Sequence, residues 1–257
     1  MPFSRIYEQI ILKKQQRQRL FAVLLDPDNL TTAACEQLIE LSHTYSIDYF
    51  LVGGSLITTQ NQAPLISLLK QQSQIPVILF PSSSLHIDLQ ADGILLLSLI
   101  SGRNPDFLIG QHVIAAPLLK ASKLQILPTG YILVDSGQPT TASYMSGSMP
   151  LPRDKPNIAA STALAGELLG LHLMFLDAGS GAKNPVPAAL IQAVQQAVEV
   201  PLIVGGGLNT AQKVVAALEA GADMIVIGNE IEKNPDFIST VAVAVNQFNS
   251  ATLSNSY

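Results

Sequence analysis

The chain has 257 residues and a formal net charge of −5, with charged residues at 13% and apolar types at 48%. Soluble domains carry about 25% charged residues, so this chain can bury a large core and is too apolar for disorder to dominate. A pI of about 5.3 leaves no basic footprint for nucleic acid, and the single Cys35, read as a small buried hydrophobe, excludes a disulfide scaffold.

The opening stretch, MPFSRIYEQIILKKQQRQRL, predicts an amphipathic helix over 4–16. Its basic, solvated face suits transient contact with anionic lipid headgroups. Its one apolar run, Ile10-Ile11-Leu12, is far shorter than a secretory h-region. The mean hydropathy of +0.34 raises the question of a membrane span. The longest apolar stretch, 158–178, contains Gly166, Glu167, Gly170 and His172 and ends just past Asp177. That pattern reads as a helix followed by a strand, and a cytoplasmic protein without a transmembrane segment is expected.

Eight short apolar runs follow, at 20–25, 49–52, 76–80, 93–97, 130–134, 172–176, 201–204 and 223–227. Strands apolar on both faces belong to a parallel sheet covered by helices. Helical patterns separate most of them, at 31–45, 59–74, 105–120, 156–170, 185–198 and 209–220, with a last one at 235–248. Asn209 or Thr210 can cap one helix and Gly221 can close it, while Pro105, Pro156, Pro185 and Pro235 suit first turns. Eight such units in one domain, 1–257, predict a (β/α)₈ TIM barrel. The segment 82–91 is too short and polar for a full third helix, so that unit should be irregular. The polar tail 249–257 should be frayed.

In a parallel barrel the active site forms at the C-terminal ends of the strands. The residues there are Asp26-Pro27-Asp28, Gly53-Gly54-Ser55, Asp177-Ala178-Gly179-Ser180-Gly181, Gly205-Gly206-Gly207 and Gly228-Asn229, among others. Glycine turns after strands six, seven and eight allow backbone N–H groups to converge on an anion, which predicts a phosphate cradle. Asp26 and Ser55 form a sparse hard-oxygen pair of the kind Mg²⁺ accepts. Asp28 is expected to cap the next helix, and Lys183 either offsets phosphate charge or is solvated. His43, His86, His112 and His172 show no paired spacing, which disfavours zinc. Asp177, a carboxylate beside a phosphate loop, suits a hydrogen bond or proton from a substrate hydroxyl. These residues alone leave open another phosphate-handling barrel enzyme, such as a sugar-phosphate isomerase or a thiamine phosphate synthase-like transferase, and a non-catalytic binder.

The set Leu25-Asp26-Pro27-Asp28, Val52-Gly53-Gly54-Ser55, Gly130-Tyr131-Ile132, Phe175-Leu176-Asp177-Ala178-Gly179-Ser180-Gly181-Ala182, Val204-Gly205-Gly206-Gly207 and Ile227-Gly228-Asn229 resembles the geranylgeranylglyceryl phosphate synthases. The resemblance runs from about residue 20 to 235 and includes Pro150-Leu-Pro-Arg-Asp-Lys-Pro156 with Thr162-Ala-Leu-Ala-Gly-Glu167. It implies joining of a prenyl diphosphate, geranylgeranyl being favoured, to sn-glycerol 1-phosphate, with Mg²⁺ on Asp26 and Ser55. It places glycerol 1-phosphate on Phe175, Leu176, Asp177, Ala178, Gly179, Ser180, Gly181, Gly206, Gly207, Gly228 and Asn229, makes Asp177 and Tyr131 the catalytic candidates, and suggests a homo-oligomer, dimer or hexamer. Two departures stand out: the archaeal pattern commonly has Tyr at Phe175 and Glu at Asp177. An apolar trough for the tail is expected through the irregular third unit, lined by Phe80, Leu97 and Tyr131; burial is worth roughly 0.8 kcal/mol per CH₂.

Overall fold

A computed structural model describes residues 5–254. Among the described residues eight strands pair in parallel and in chain order: β1 (Leu20–Leu25), β2 (Tyr49–Gly53), β3 (Val77–Phe80), β4 (Gly93–Leu99), β5 (Gln125–Leu133), β6 (Leu173–Asp177), β7 (Leu202–Gly205) and β8 (Met224–Ile227). Pairing of β8 with β1 closes the barrel. Helix α1 (Arg5–Gln15) precedes it, and α2 (Thr32–Thr44), α3 (Gln62–Gln72), α4 (Gln111–Ala121), α5 (Thr141–Ser146), α6 (Pro156–Leu168), α7 (Ala188–Ala197), α8 (Ala211–Glu219), α9 (Asn229–Lys233) and α10 (Phe237–Ser254) follow. None of these helices is long and apolar enough to cross a membrane.

The alternation of each strand sorts its side chains into two layers. Leu20 and Ala22 fill the barrel interior with Tyr49, Leu51, Ile78 and Phe175. Phe21, Val23 and Leu25 face outward, packing in the layer that includes Cys35, Leu38 and Ile238 of the helices. Both faces are therefore apolar, the signature of a covered parallel sheet. Helix α1 closes the N-terminal end. Its Ile6 and Ile10 are buried in the interior cluster, and the Ile6 amide donates to Gln125 Oε1 at 2.9 Å. Part of its expected basic face is turned inward, because Lys14 Nζ lies 2.9 Å from the carboxylate of buried Asp223.

The third unit is irregular, as expected: a single 3₁₀ turn, Ser84–His86, stands where a helix would be. Pairing between β3 and β4 is correspondingly short, limited to Ile78↔Gly93 and Leu79↔Ile94, whereas β4 and β5 pair along seven positions from Gly93↔Gln125 to Leu99↔Tyr131. The upper halves of β3 and β4 therefore diverge. A π-type turn, Asp106–Gly110, then leads into α4.

Several boundaries differ from the sequence pattern, the late starts of α3 at Gln62, α4 at Gln111 and α8 at Ala211 among them. Strand β5 begins at Gln125 and not at 130. Pro128 disguises the start, yet its carbonyl accepts from the His172 amide at 2.8 Å ahead of the first β5–β6 pair, Thr129↔Leu173, so its missing N–H costs no ladder bond. Helices α7 and α10 start at Ala188 and Phe237, two or three residues past Pro185 and Pro235. The expected frayed tail is helical through Ser254. Asn249 anchors it, accepting from the Arg19 amide at 2.6 Å and donating to the Arg19 carbonyl at 3.1 Å. Residue 4 of the expected first helix and residues 255–257 of the tail lie outside the described residues.

Candidate active site

The C-terminal ends of the strands open into two adjoining spaces. A polar chamber of ≈ 420 Å³ is lined by Asp26, Ser55, Asp177 and the glycine turns after β6, β7 and β8. An apolar trough of ≈ 250 Å³ runs between β3, β4 and α4, lined by Phe80, Leu97, Phe107, His112, Ala115 and Tyr131, among others. It occupies the divergence left by the missing third helix. Gly54, Ser55, Leu56 and Phe80 line both spaces and so form their seam. Small-molecule sites span roughly 300–1,000 Å³; the trough alone falls below that range and makes sense as an annex of the chamber.

The strand tips that the sequence singles out converge. Asp26 follows β1, and a Cβ placed on Gly54 would lie 3.3 Å from Asp26 Oδ2, so the Ser55 loop crosses directly beside that carboxylate. Across the chamber, Ser180 Oγ donates to Asn229 Oδ1 at 2.8 Å and ties the turn after β6 to the one after β8. Gly206 adopts φ +79°, and a Cβ there would meet Asp177 Oδ1 at 2.6 Å and the Gly179 nitrogen at 2.7 Å. Only glycine brings the two turns this close.

Two members of the expected glycerol phosphate set do not face the chamber. Leu176 and Ala178 are 0% and 1% exposed and pack in the outer layer against the helices. Period-two alternation turns them away while Phe175 and Asp177 point inward. The Gly179 amide is also committed, donating to Asp177 Oδ1 at 2.7 Å. Ser180, Gly181, Gly206, Gly207, Gly228 and Asn229 all line the chamber. Lys183 does not; the lysine that does is Lys233, at the end of α9, five residues beyond Gly228 and so outside the glycine-turn motif.

Tyr131 and Asp177 form a buried pair. The Tyr131 hydroxyl donates to Asp177 Oδ2 at 2.6 Å. Burial, with the neighbouring carboxylate, pushes the Tyr131 phenol well above its usual range, so it stays a donor. Burial also raises the Asp177 carboxyl above its ordinary value, against the lowering effect of the Tyr131 and Gly179 hydrogen bonds. The Tyr131 ring is held edge-on to Phe175 at 5.6 Å and to Phe80 at 5.9 Å. Phe175 thus serves as packing for Tyr131.

Asp28 does not cap α2; Thr31 does, accepting from the Ala34 amide at 3.2 Å. Asp28 instead takes four hydrogen bonds from the β2–α3 loop, from the amides and hydroxyls of both Thr58 and Thr59. These donors, Thr59 Oγ1 first, lower its carboxyl to about 2. In the trough, His112 Nε2 pairs with Ser98 Oγ at 3.1 Å, a polar contact that single-residue spacing does not reveal.

The chamber is lined by the carboxylates of Asp26, Asp28, Asp177, Glu230 and Glu232, against Lys233 as the one cation among its lining residues. A phosphate group entering this field needs a compensating cation. Among the described residues no group of three or more His, Cys, Asp and Glu is arranged to hold a metal by itself. An Asp26–Ser55 oxygen pair fits Mg²⁺, which draws most of its ligands from water and phosphate.

Strands, chamber and trough together define a (β/α)₈ barrel enzyme with its site at the strand C-termini. The PcrB family model matches residues 12–245, and the chain belongs to that family. It is 58% identical over 240 residues to a geranylgeranylglyceryl phosphate synthase of Spirosoma linguale, covering 93% of this chain and 96% of the relative. It is 39% identical over 227 residues to the enzyme of the same name from Thermococcus gammatolerans, covering 88% and 89%. A crystal structure of (S)-3-O-geranylgeranylglyceryl phosphate synthase from Thermoplasma acidophilum in complex with sn-glycerol-1-phosphate superposes with a TM-score of 0.89 at 30% identity, covering 96% of this chain and 99% of that one.

Proposed function

We propose that this chain transfers a prenyl group, of geranylgeranyl length, from its diphosphate to the 3-hydroxyl of sn-glycerol 1-phosphate. The observation that carries the reading is the seam: one polar and one apolar space meet at Gly54, Ser55, Leu56 and Phe80. A prenyl diphosphate is polar at one end and apolar along the rest, and such a ligand spans that seam with its reactive carbon at the junction. The glycine turns after β6, β7 and β8 line the opposite side of the chamber and would seat the phosphate of glycerol 1-phosphate; the identity of that substrate is supported by the complex of the Thermoplasma acidophilum relative.

In the reaction the C1–oxygen bond to diphosphate breaks, the leaving group keeping the electron pair, as the glycerol O3–C1 bond forms. Asp177 orients the 3-hydroxyl and accepts its proton, and its raised affinity for protons suits that task. Tyr131 fixes the carboxylate through Oδ2 and the Gly179 amide fixes it through Oδ1, so the substrate hydroxyl would meet the second lone pair of one of these oxygens. Holding both reactants in line removes an entropic part of the barrier. When bound, Mg²⁺ would be held by Asp26 and Ser55 and would neutralise charge on the departing diphosphate.

The test incubates the purified protein with Mg²⁺, sn-glycerol 1-phosphate and a series of prenyl diphosphates, reading product mass. A geranylgeranylglyceryl phosphate, absent when sn-glycerol 3-phosphate is supplied, is the expected result. Failure to form any ether product sinks the proposal, and full turnover of Asp26→Asn at limiting Mg²⁺ sinks the metal assignment. A homo-oligomer belongs to the same proposal, supported by large apolar side chains left on the outside of α6, such as Leu168 at 80% exposure. Sedimentation at the 27.4 kDa monomer mass would refute it.

A further inference from the structure

The β2–α3 loop carries Ser55, Leu56 and Ile57, and its flanking helix holds it through a long bond from the Asn61 amide to Thr59 Oγ1 at 3.4 Å. Strand β2 ends at Gly53, and Asn61, at the N-cap of α3, makes no side-chain capping bond. The loop's anchor lies 30 residues earlier in the chain. Asp28 Oδ2 accepts from Thr58 N at 2.6 Å and Thr58 Oγ1 at 2.7 Å, and Oδ1 accepts from Thr59 N at 3.1 Å and Thr59 Oγ1 at 2.6 Å. The Asp28 amide in turn donates to Asp26 Oδ1 at 3.0 Å. Asn29 Nδ2 donates to the other oxygen, Asp26 Oδ2, at 3.0 Å, so Asp28 shares in orienting the Asp26 carboxylate through its backbone while its side chain fixes the loop bearing Ser55.

We infer that Asp28, with Thr58 and Thr59, is a positioning clasp that sets the spacing of Asp26 and Ser55 and thereby the seat of the diphosphate at the seam. The clasp does not touch the turns after β6, β7 and β8 in any of these bonds, so its effect is confined to one of the two reactants. Partners of this outer kind change ligand affinity by about 10- to 100-fold when removed. The inference rests on the proposed function for the identity of the diphosphate, and direct binding separates the two.

Asp28→Asn, Thr59→Val and Thr59→Ser are compared with the unaltered protein by calorimetric titration with inorganic pyrophosphate in Mg²⁺ and, separately, with sn-glycerol 1-phosphate. Asp28→Asn and Thr59→Val should weaken pyrophosphate binding about tenfold or more, and glycerol 1-phosphate binding should stay within about twofold. Thr59→Ser, which keeps the hydroxyl donor, should restore pyrophosphate binding. With prenyl diphosphate and Mg²⁺ the same variants should raise KM for the prenyl substrate selectively. Equal weakening of both ligands, unchanged pyrophosphate binding, or a serine variant no better than valine overturns the inference. Should Asp28→Asn fail to fold, the valine and serine pair decides. If the unaltered protein binds both ligands but makes no ether, the proposed function falls while the binding comparison still judges the clasp.

Discussion

The Tyr131–Asp177 pair, on which the proposed proton transfer rests, is one buried hydrogen bond set among the rings of Phe80 and Phe175. Tyr131→Phe keeps the ring contacts with Phe175 and Phe80 and removes the donor to Asp177 Oδ2. A hydrogen bond to a charged group is worth about 1.5–3 kcal/mol, so kcat should fall about 10- to 100-fold. Because that bond lowers the Asp177 carboxyl, its loss should also move the acid limb of the kcat/KM profile to higher pH. An unmoved limb would show that Asp177 does not titrate in the reaction. Stability offers a second reading of the same residue. The folded Asp177 holds its proton more tightly than an ordinary carboxylate, so its favourable contribution is complete below the ordinary carboxylate range near pH 4 and is lost as pH rises through the raised value. Asp177→Asn lacks this dependence. The melting temperature of the unaltered protein minus that of the variant should therefore shrink as pH increases from about 4, whatever constant offset the amide introduces; a flat difference would contradict the raised carboxyl.

At the level of elements, the turns after β6 and β7 interlock through Gly206. A methyl group there would strike a buried carboxylate oxygen and two backbone nitrogens, none of which can swing aside, at a φ of +79°. Gly206→Ala should cost roughly 1–3 kcal/mol of stability and raise KM for glycerol 1-phosphate more than for the prenyl substrate. Gly147→Ala is the control: φ is +57° with nothing within 4 Å of the added carbon, so it should lose a fraction of the stability and leave both KM values in place. These turns were legible in the sequence because glycine runs after apolar strands have few other uses, and strand order alone places them at one end. The trough was legible only as a defect, the polar segment 82–91. Its shape follows from how few positions β3 and β4 share, and no hydrophobic pattern records register. Leu176 and Ala178 show the cost of reading a motif as a string: adjacent letters of one strand face opposite sides. The Asp28 clasp escaped for another reason, since an Asp-Pro-Asp triplet reads as a local cap and its partners, Thr58 and Thr59, are distant in the chain.

For the whole molecule, the barrel separates its chemistry from its fastening. The chamber lies at the C-terminal ends of the strands, while the closure at the other end depends on Asp223, just ahead of β8. Its buried carboxylate accepts from Lys14 of α1 at 2.9 Å, from Arg19 before β1 at 2.8 Å and from the Leu202 amide at 3.0 Å. That one side chain joins the N-terminal helix, the first strand and the last two strands. Burial lowers the Arg19 guanidinium and the adjacent Asp223 charge opposes that shift, so removing the carboxylate strands a desolvated cation. Asp223→Ala should accordingly destabilise the fold by about 3–5 kcal/mol, the cost of breaking a buried ion pair from one side. Replacing Asn249, which grips the Arg19 backbone, with Ala should cost only about 1 kcal/mol. Denaturant melts measure both, and steady-state assays well below the melting range should find the KM values of Asp223→Ala unchanged, since no strand tip has moved. A selective change in either KM would mean that the base and mouth of the barrel are mechanically coupled through the strands, and the division between fastening and chemistry would fail.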